Sequence, residues 1–178
     1  MSPVLIRPYE ATDIPLLFEA GRESRSTIGP WLPWCHENYS EGEARAFVEA
    51  QIAAFASGAE YTFAITSPGG RFLGCCGLNL IDRTNRRANL GYWVRASEVS
   101  RGVATSAVRL LGAWAFENTP LGRLEIVAST ENLGSQRVAE KAGAVREGIA
   151  RSRLHLHGRA HDAIVYSILR TDPRTVSA

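Results

Sequence analysis

Ser100-Arg-Gly-Val-Ala-Thr105 has the make-up of an anion-binding turn. It lies between a strand-like run and a long helical run. Gly102 lets a ligand approach the backbone closely. Val103 and Ala104 open the helix, and the N–H groups of its first turn, through Thr105, have no partner within the helix. With the helix dipole those donors favour an anion, and a pyrophosphate fits. Arg101 adds a charged contact at the rim. The same residues also read as an ordinary strand-to-helix turn, a common use of glycine. The turn alone does not decide.

Other residues able to do chemistry are scattered. Ser135 opens a helix, where its hydroxyl either passes a proton or satisfies backbone N–H groups. His155 and His157 share a strand face, but Gly158 turns the chain before His161. No Cys or carboxylate stands at ligand spacing, so no metal is expected. Cys35, Cys75 and Cys76 are odd in number and lack framework spacing, against a disulfide scaffold. Cys75 and Cys76 are strand neighbours that face opposite ways and read as buried thiols. Trp31 and Trp34 either wall a ligand pocket or roof the core. Arg83, Arg86 and Arg87 form a solvated turn or a docking point for a carboxylate-bearing or RNA-bound partner. Glu37, Glu41, Glu43 and Glu49 bring negative charge to one segment.

The elements that must hold these groups follow from patterning. Val4 to Arg7 is a short strand. Thr12 or Asp13 caps a helix through about Arg22, with Pro15 in its first turn. Ile28-Gly-Pro-Trp-Leu-Pro-Trp34 is an aromatic loop. Ser40 opens a second helix, with Glu43 completing a capping box, and Gly58 stops it. Three strands follow, Tyr61–Ser67, Phe72–Leu80 and Ala88–Val94, the first two joined at Pro68-Gly69-Gly70. A helix from Val103 to about Asn118 precedes a strand, Leu124–Ala128. A short helix, Ser135–Ala142, ends at Gly143. Val145–Leu156 and Ala160–Leu169 form a hairpin around Gly158. The order β-α-α-β-β-β-α-β-α-β-β predicts an α/β fold around one mixed sheet.

Length and composition bound the rest. The 178 residues suit one domain, expected over 1–170 with a loose tail over 171–178. Hydrophobic residues at 45% and charged residues at 21% exclude a disordered chain or a coiled coil. A net charge of +2 is too small to imply direct nucleic-acid binding. All basic residues but Lys141 are arginine, a bias spread along the whole chain. No apolar region follows Met1 and no run approaches a membrane span, so the cytoplasm is the expected location, with no membrane partner. A homodimer is the usual closed assembly.

The anion turn follows Leu90-Gly-Tyr-Trp-Val94. Further on stand Leu124-Glu-Ile-Val-Ala-Ser-Thr-Glu-Asn132, Ser135-Gln-Arg-Val-Ala-Glu-Lys-Ala-Gly143 and Glu147-Gly148. In this combination the chain resembles the GNAT superfamily of acyl-CoA-dependent N-acetyltransferases. More narrowly, it is similar to the RimJ/RimL-type ribosomal-protein acetyltransferases. Trp31-Leu-Pro-Trp34 and Gly158…Asp162…Tyr166 resemble that branch too. The resemblance runs from Leu5-Ile-Arg-Pro8 to Leu169. It implies a central twisted mixed sheet flanked by helices, with the fourth and fifth strands splayed to form the acyl-CoA cleft. It implies acetyl-CoA as co-substrate and an amine acceptor. Backbone groups near Trp93 and Val94 would pair with the pantetheine arm like an added strand. Ser100, Arg101, Gly102, Val103, Ala104 and Thr105 would hold the pyrophosphate, and Asn132 and Ser135 would lie beside pantetheine and sulfur. The Val94 N–H would stabilise the oxyanion, and Ser135 would protonate the departing thiolate. Trp31 and Trp34 would bind the acceptor.

Two positions depart from the family pattern. Val99 stands where the loop usually begins with Gln or Arg. Leu154 stands where some ribosomal acetyltransferases carry a glutamate base, so that base cannot be carried over. An α-amine, with a pKa of roughly 7.7–8, is about 10% neutral near pH 7, whereas a lysine at about 10.4 is neutral to roughly 0.04%. A site without a strong base therefore suits an α-amine. The expected reaction is acetyl transfer to the N-terminal α-amine of a protein or peptide, by direct attack through a tetrahedral intermediate. No nucleophile–base pair suggests an acyl-enzyme. Two alternatives stand: an acetyltransferase for a small amine such as an amino acid, polyamine or aminoglycoside, and a non-catalytic acyl-CoA sensor.

Overall fold

The computed structural model describes residues 3–172. From residue 173 on, the expected tail lies outside the described residues. The elements are β1 (Leu5–Pro8), α1 (Ile14–Ile28), α2 (Glu41–Ser57), β2 (Tyr61–Thr66), β3 (Phe72–Asp82), β4 (Arg87–Val94), α3 (Val103–Asn118), β5 (Arg123–Ser129), α4 (Leu133–Ala142), β6 (Val145–Leu156) and β7 (Arg159–Leu169). Short 3-10 turns span Ala11–Asp13 and Ala96–Glu98. The element order matches the sequence expectation.

Local chemistry explains most boundaries. Ser40 Oγ accepts from the Glu43 N–H at 3.3 Å, and Glu43 Oε2 accepts from the Ser40 N–H at 3.0 Å, the reciprocal box that starts α2. Gly58 ends α2 with φ +70° and Gly143 ends α4 with φ +99°, both left-handed. At α1 the expectation needs correcting. The Asp13 carboxylate does not cap the helix; it pairs with Arg7 at 2.6 and 2.7 Å. The helix also continues past Arg22 to Ile28, because Ser24 and Ile28 are buried by tertiary contacts that local patterning does not reveal.

The seven strands form one mixed sheet in the order β1-β2-β3-β4-β5-β7-β6. Every pair is antiparallel except β4–β5. Ala107, Leu111 and Ala115 of α3 and Ala139 of α4 pack with Leu78, Leu90, Leu124 and Tyr166 on one face. Leu17 and Ala20 of α1 and Ala44 and Val48 of α2 pack with Phe72, Cys75 and Trp93 on the other. Cys76 belongs to the first layer and Cys75 to the second. Cys35, Cys75 and Cys76 are all free buried thiols. Among the described residues, no helix is long and apolar enough to cross a membrane.

Candidate functional site

The sheet opens in its middle. β4 and β5 pair only at Arg87↔Arg123, Ala88↔Leu124 and Asn89↔Glu125. Beyond that point β4 continues beside β3 to Val94, and β5 continues beside β7 to Ser129. The Arg95 N–H donates to the Leu73 carbonyl at 2.8 Å, which sets the alternation along β4. Trp93 and Gly91 turn their N–H and C=O groups to β3, while Tyr92 and Val94 turn theirs to the gap. The Val94 N–H therefore faces the gap. The Trp93 carbonyl faces β3, where it would lie 2.2 Å from a methyl added at Gly74.

The turn after β4 is held from behind. The Ala96 N–H donates to Ser24 Oγ and the Ser97 N–H to Glu23 Oε1, each at 3.0 Å. Buried Arg95 reaches Glu19, and it reaches Glu23 at 2.9 Å. Buried Glu98 pairs with Arg71 at 2.7 Å and lies 3.8 Å from Arg101. Ser100 has φ +64° and Gly102 φ +81°. These left-handed positions aim the chain into α3, whose cap residue Gly102 has no side chain to satisfy the first N–H groups. The side chains of Val103 and Thr105 are buried, whereas Arg101 and Val99 are exposed.

Across the gap, Asn132 caps α4 by accepting the Ser135 N–H at 3.0 Å. The helix thus begins at Leu133, not at Ser135. Tyr92 donates its hydroxyl to the Ser135 carbonyl at 2.9 Å and lies 3.0 Å from Ser135 Oγ. Burial pushes the Tyr92 phenol up to about 12, so it stays protonated at neutral pH.

A cavity of about 250 Å³ lies on the α1/α2 face of the same strand. Gly77 and Gly91, partners across β3 and β4, form its floor. Leu17, Trp34, Tyr39, Phe47 and Trp93 wall it, with Glu43 and Glu60 among the polar residues. The Trp34 ring lies 5.5 Å from Trp93 and 5.2 Å from Tyr39. Trp31 is not among the lining residues, and neither are Glu37, Glu41 and Glu49. Hydrogen bonds from Ser40, then from His36, hold the Glu43 carboxyl below its usual range. Burial raises the Tyr39 phenol and the Cys75 thiol to about 12. Gln51 donates to Glu60 at 3.2 Å.

Sequence reasoning missed Gly77, Gly91, Glu60 and Tyr92. A glycine inside the strand Leu90-Gly-Tyr-Trp-Val94 was a usable sign, since such glycines mark a close approach or a space.

The histidines are dispersed: His157 Nε2 contacts the Gly29 carbonyl at 2.9 Å, and His161 lies 3.6 Å from Glu131. Among the described residues, no group of three or more His, Cys, Asp or Glu is placed to hold a metal. Arg83 donates to the Gly58 carbonyl, and Arg87 pairs with Asp82 and Glu125. Leu154 is half-buried opposite His161.

An open strand edge that leads to a helix N-terminus fits a long ligand with amides at one end and a pyrophosphate at the other. The model of the acetyltransferase (GNAT) domain matches residues 4–145. The chain belongs to the GNAT family of N-acetyltransferases, whose acyl donor is acetyl-CoA. It is 30% identical over 176 residues to YdaF of Bacillus subtilis (strain 168), named as a candidate ribosomal N-acetyltransferase, covering 95% of this chain and 92% of that one. It is 25% identical to the ribosomal-protein-serine acetyltransferase of Escherichia coli (strain K12), covering 85% and 84%. It shares its fold with RimL, the ribosomal L7/L12 alpha-N-protein acetyltransferase, in complex with coenzyme A. There the TM-score is 0.87, the identity 21%, and 95% of each chain is covered.

Proposed function

We propose that this enzyme acetylates the N-terminal α-amine of a protein or peptide, within a single domain over 1–170. One observation carries the reading: among the described residues, the cavity lining holds no histidine or lysine, and its carboxylates are Glu43 and Glu60. Glu43 is stabilised as the carboxylate, and Tyr39, Tyr92 and Cys75 hold their protons. An acceptor already partly neutral at neutral pH suits such a site, and an α-amine titrates near 8 whereas lysine titrates near about 10.4. The names of YdaF and of the Escherichia coli relative agree with this acceptor class.

In this reading the donor lies along the open edge of β4, hydrogen-bonded to the outward amides. Ser100, Arg101, Gly102, Val103, Ala104 and Thr105 supply the pyrophosphate site. Arg101 takes the charged contact that Val99 does not make. Val94 N–H donates to the oxygen on which negative charge grows. Asn132 holds the start of α4, and Ser135 hands a proton to the departing thiolate. Trp34 forms part of the acceptor wall. The acceptor enters from the α1/α2 face, so one substrate meets β4 at its edge and the other at its face.

The test is acetyl-CoA-dependent thiol release on peptides with free N-termini, on the same peptides blocked there but bearing lysine, and on polyamines and aminoglycosides. Turnover confined to free N-termini, with kcat/KM climbing through about pH 8, is expected. Turnover confined to blocked lysine peptides or small polyamines overturns the reading.

A further inference from the structure

We infer that the cavity takes the side chain of the acceptor's first residue, and that this side chain is large and apolar, aromatic or long aliphatic. The inference rests on the N-terminal reading above. Gly77 and Gly91 stand opposite each other, but they serve different ends. A methyl at Gly77 would lie 2.9 Å from Thr62 Oγ1 and 3.1 Å from the Thr62 Cα. Glycine there allows β2 to approach. A methyl at Gly91 would meet nothing nearer than Asn89 Nδ2 at 4.0 Å, and its φ lies outside the left-handed region. Neither packing nor backbone conformation requires glycine at 91. What the missing side chain leaves is space, and that space belongs to the cavity.

Size and lining then select the occupant. An apolar hole of about 150 Å³ admits benzene. One of about 250 Å³ holds a phenyl or isobutyl group together with the start of the peptide backbone. Leu17, Phe47, Trp34 and Trp93 give such a group an apolar wall, while Glu43, Gln51 and Glu60 form a polar side of the lining. A serine or alanine side chain would leave most of that wall facing water, so the hydrophobic gain would be forfeited. The Glu43 carboxylate opposes an acidic first residue.

The experiment uses free-amine hexapeptides that differ only in their first residue: Ser, Ala, Leu, Phe, Lys or Glu. An N-terminally blocked Phe peptide is the control. The wild type, Gly91→Ala and Gly91→Val are compared by kcat/KM. Tm and the acetyl-CoA Kd establish that each variant is folded. The wild type should prefer Phe and Leu over Ser and Ala by about tenfold or more, a usual discrimination for apolar pockets. Gly91→Val should abolish or invert that ratio, with Gly91→Ala between. Phenylalanine amide should also quench the fluorescence of the wild type through Trp34 and Trp93, and bind Gly91→Val at least tenfold more weakly. Equal or better turnover of Ser, Ala, Lys or Glu peptides by the wild type overturns the inference while leaving N-terminal acetylation intact. So does a Phe-to-Ser ratio unmoved by Gly91→Ala and Gly91→Val. No turnover of any free-amine peptide, or equal turnover of the blocked control, removes the N-terminal reading itself. In that event the amide-binding comparison alone decides whether the cavity takes large apolar groups.

Discussion

The Tyr92 hydroxyl sits 2.9 Å from the Ser135 carbonyl oxygen and 3.0 Å from Ser135 Oγ, joining β4 to the first turn of α4 across the opening in the sheet. A carbonyl oxygen can only accept, so the phenol proton is committed to it. With that proton so placed, the Ser135 hydroxyl is the donor in the 3.0 Å contact, and the phenol oxygen holds Oγ in position. Ser135→Ala should lower kcat by about a hundredfold, the low end of general-acid effects. The KM for acetyl-CoA should stay within about threefold. Tyr92→Phe should lower kcat less. The double variant should be no slower than Ser135→Ala, as expected of residues that act as one unit. Additive losses would show that the two act separately.

The turn before α3 should govern donor affinity. Gly102→Ala places a Cβ at φ +81°, a conformation costing an L-residue roughly 1–2 kcal/mol. We expect the acetyl-CoA KM to rise about tenfold with kcat less affected. Arg101→Ala should raise that KM only a few-fold, and the difference should shrink as salt shortens the screening length. Steady-state kinetics at two ionic strengths check both.

Stability should depend on Arg95 more than on either of its carboxylate partners. Its side chain is 6% exposed, whereas those of Glu19 and Glu23 are 68% and 32% exposed. Replacing Glu19 removes a pair largely screened by water. Arg95→Met also loses the hydrogen bond to the Phe72 carbonyl. A cost of about 2 kcal/mol, seen as a Tm lower by about 4–8 °C, is expected. Glu19→Gln should shift Tm by about 2 °C or less. Thermal denaturation of the two variants distinguishes them.

Glu147 gives a pH dependence with a definite sign. Hydrogen bonds from Arg123, at 2.6 Å, and then from Ser167, at 2.8 Å, lower its carboxyl from the ordinary 4.5 to about 2. The folded state holds this group ionised while the unfolded state takes up a proton. The stabilisation is therefore present above about 4.5 and is lost as pH falls toward 2. The Tm gap between wild type and Glu147→Gln should be widest above pH 5 and should close on acidification. A gap that widened in acid would contradict the assignment.

Cys35, Cys75 and Cys76 should be silent to a thiol reagent in the folded enzyme. All three are buried, and burial raises each thiol above its ordinary value. Three thiols should appear together on unfolding. A thiol that reacts quickly in the native protein would place its residue at the surface.

Much of this architecture is written in short-range chemistry. Ser40 and Glu43 announce a helix start, Gly58 and Gly143 announce helix ends, and Pro68-Gly69-Gly70 announces a hairpin, because each acts on its own neighbours. The RimJ/RimL-like motifs carry the fold class and the donor. What local sequence does not carry is register. Gly77 and Gly91 lie on different strands, and only their pairing makes a cavity floor. The same pairing turns Trp93 into the sheet and Val94 out of it. Trp34 and Trp31 are three positions apart with the same side chain, yet only Trp34 lines the cavity. Leu154 was recognisable as a missing base. The lowered basicity of Glu43 depends on Ser40 and His36 folding back onto it.

An unpaired strand edge is ordinarily a hazard, since it invites another chain to add itself and start an aggregate. The open stretch of β4 lies instead in the interior of the sheet, with β3 on one side and β5 diverging on the other. At its closed end the edge of β4 is already taken, because Arg87, Ala88 and Asn89 pair with Arg123, Leu124 and Glu125 of β5. A thin, flexible chain can still enter from the wide end. The protein thus keeps backbone donors and acceptors available for recognition while withholding them from copies of itself.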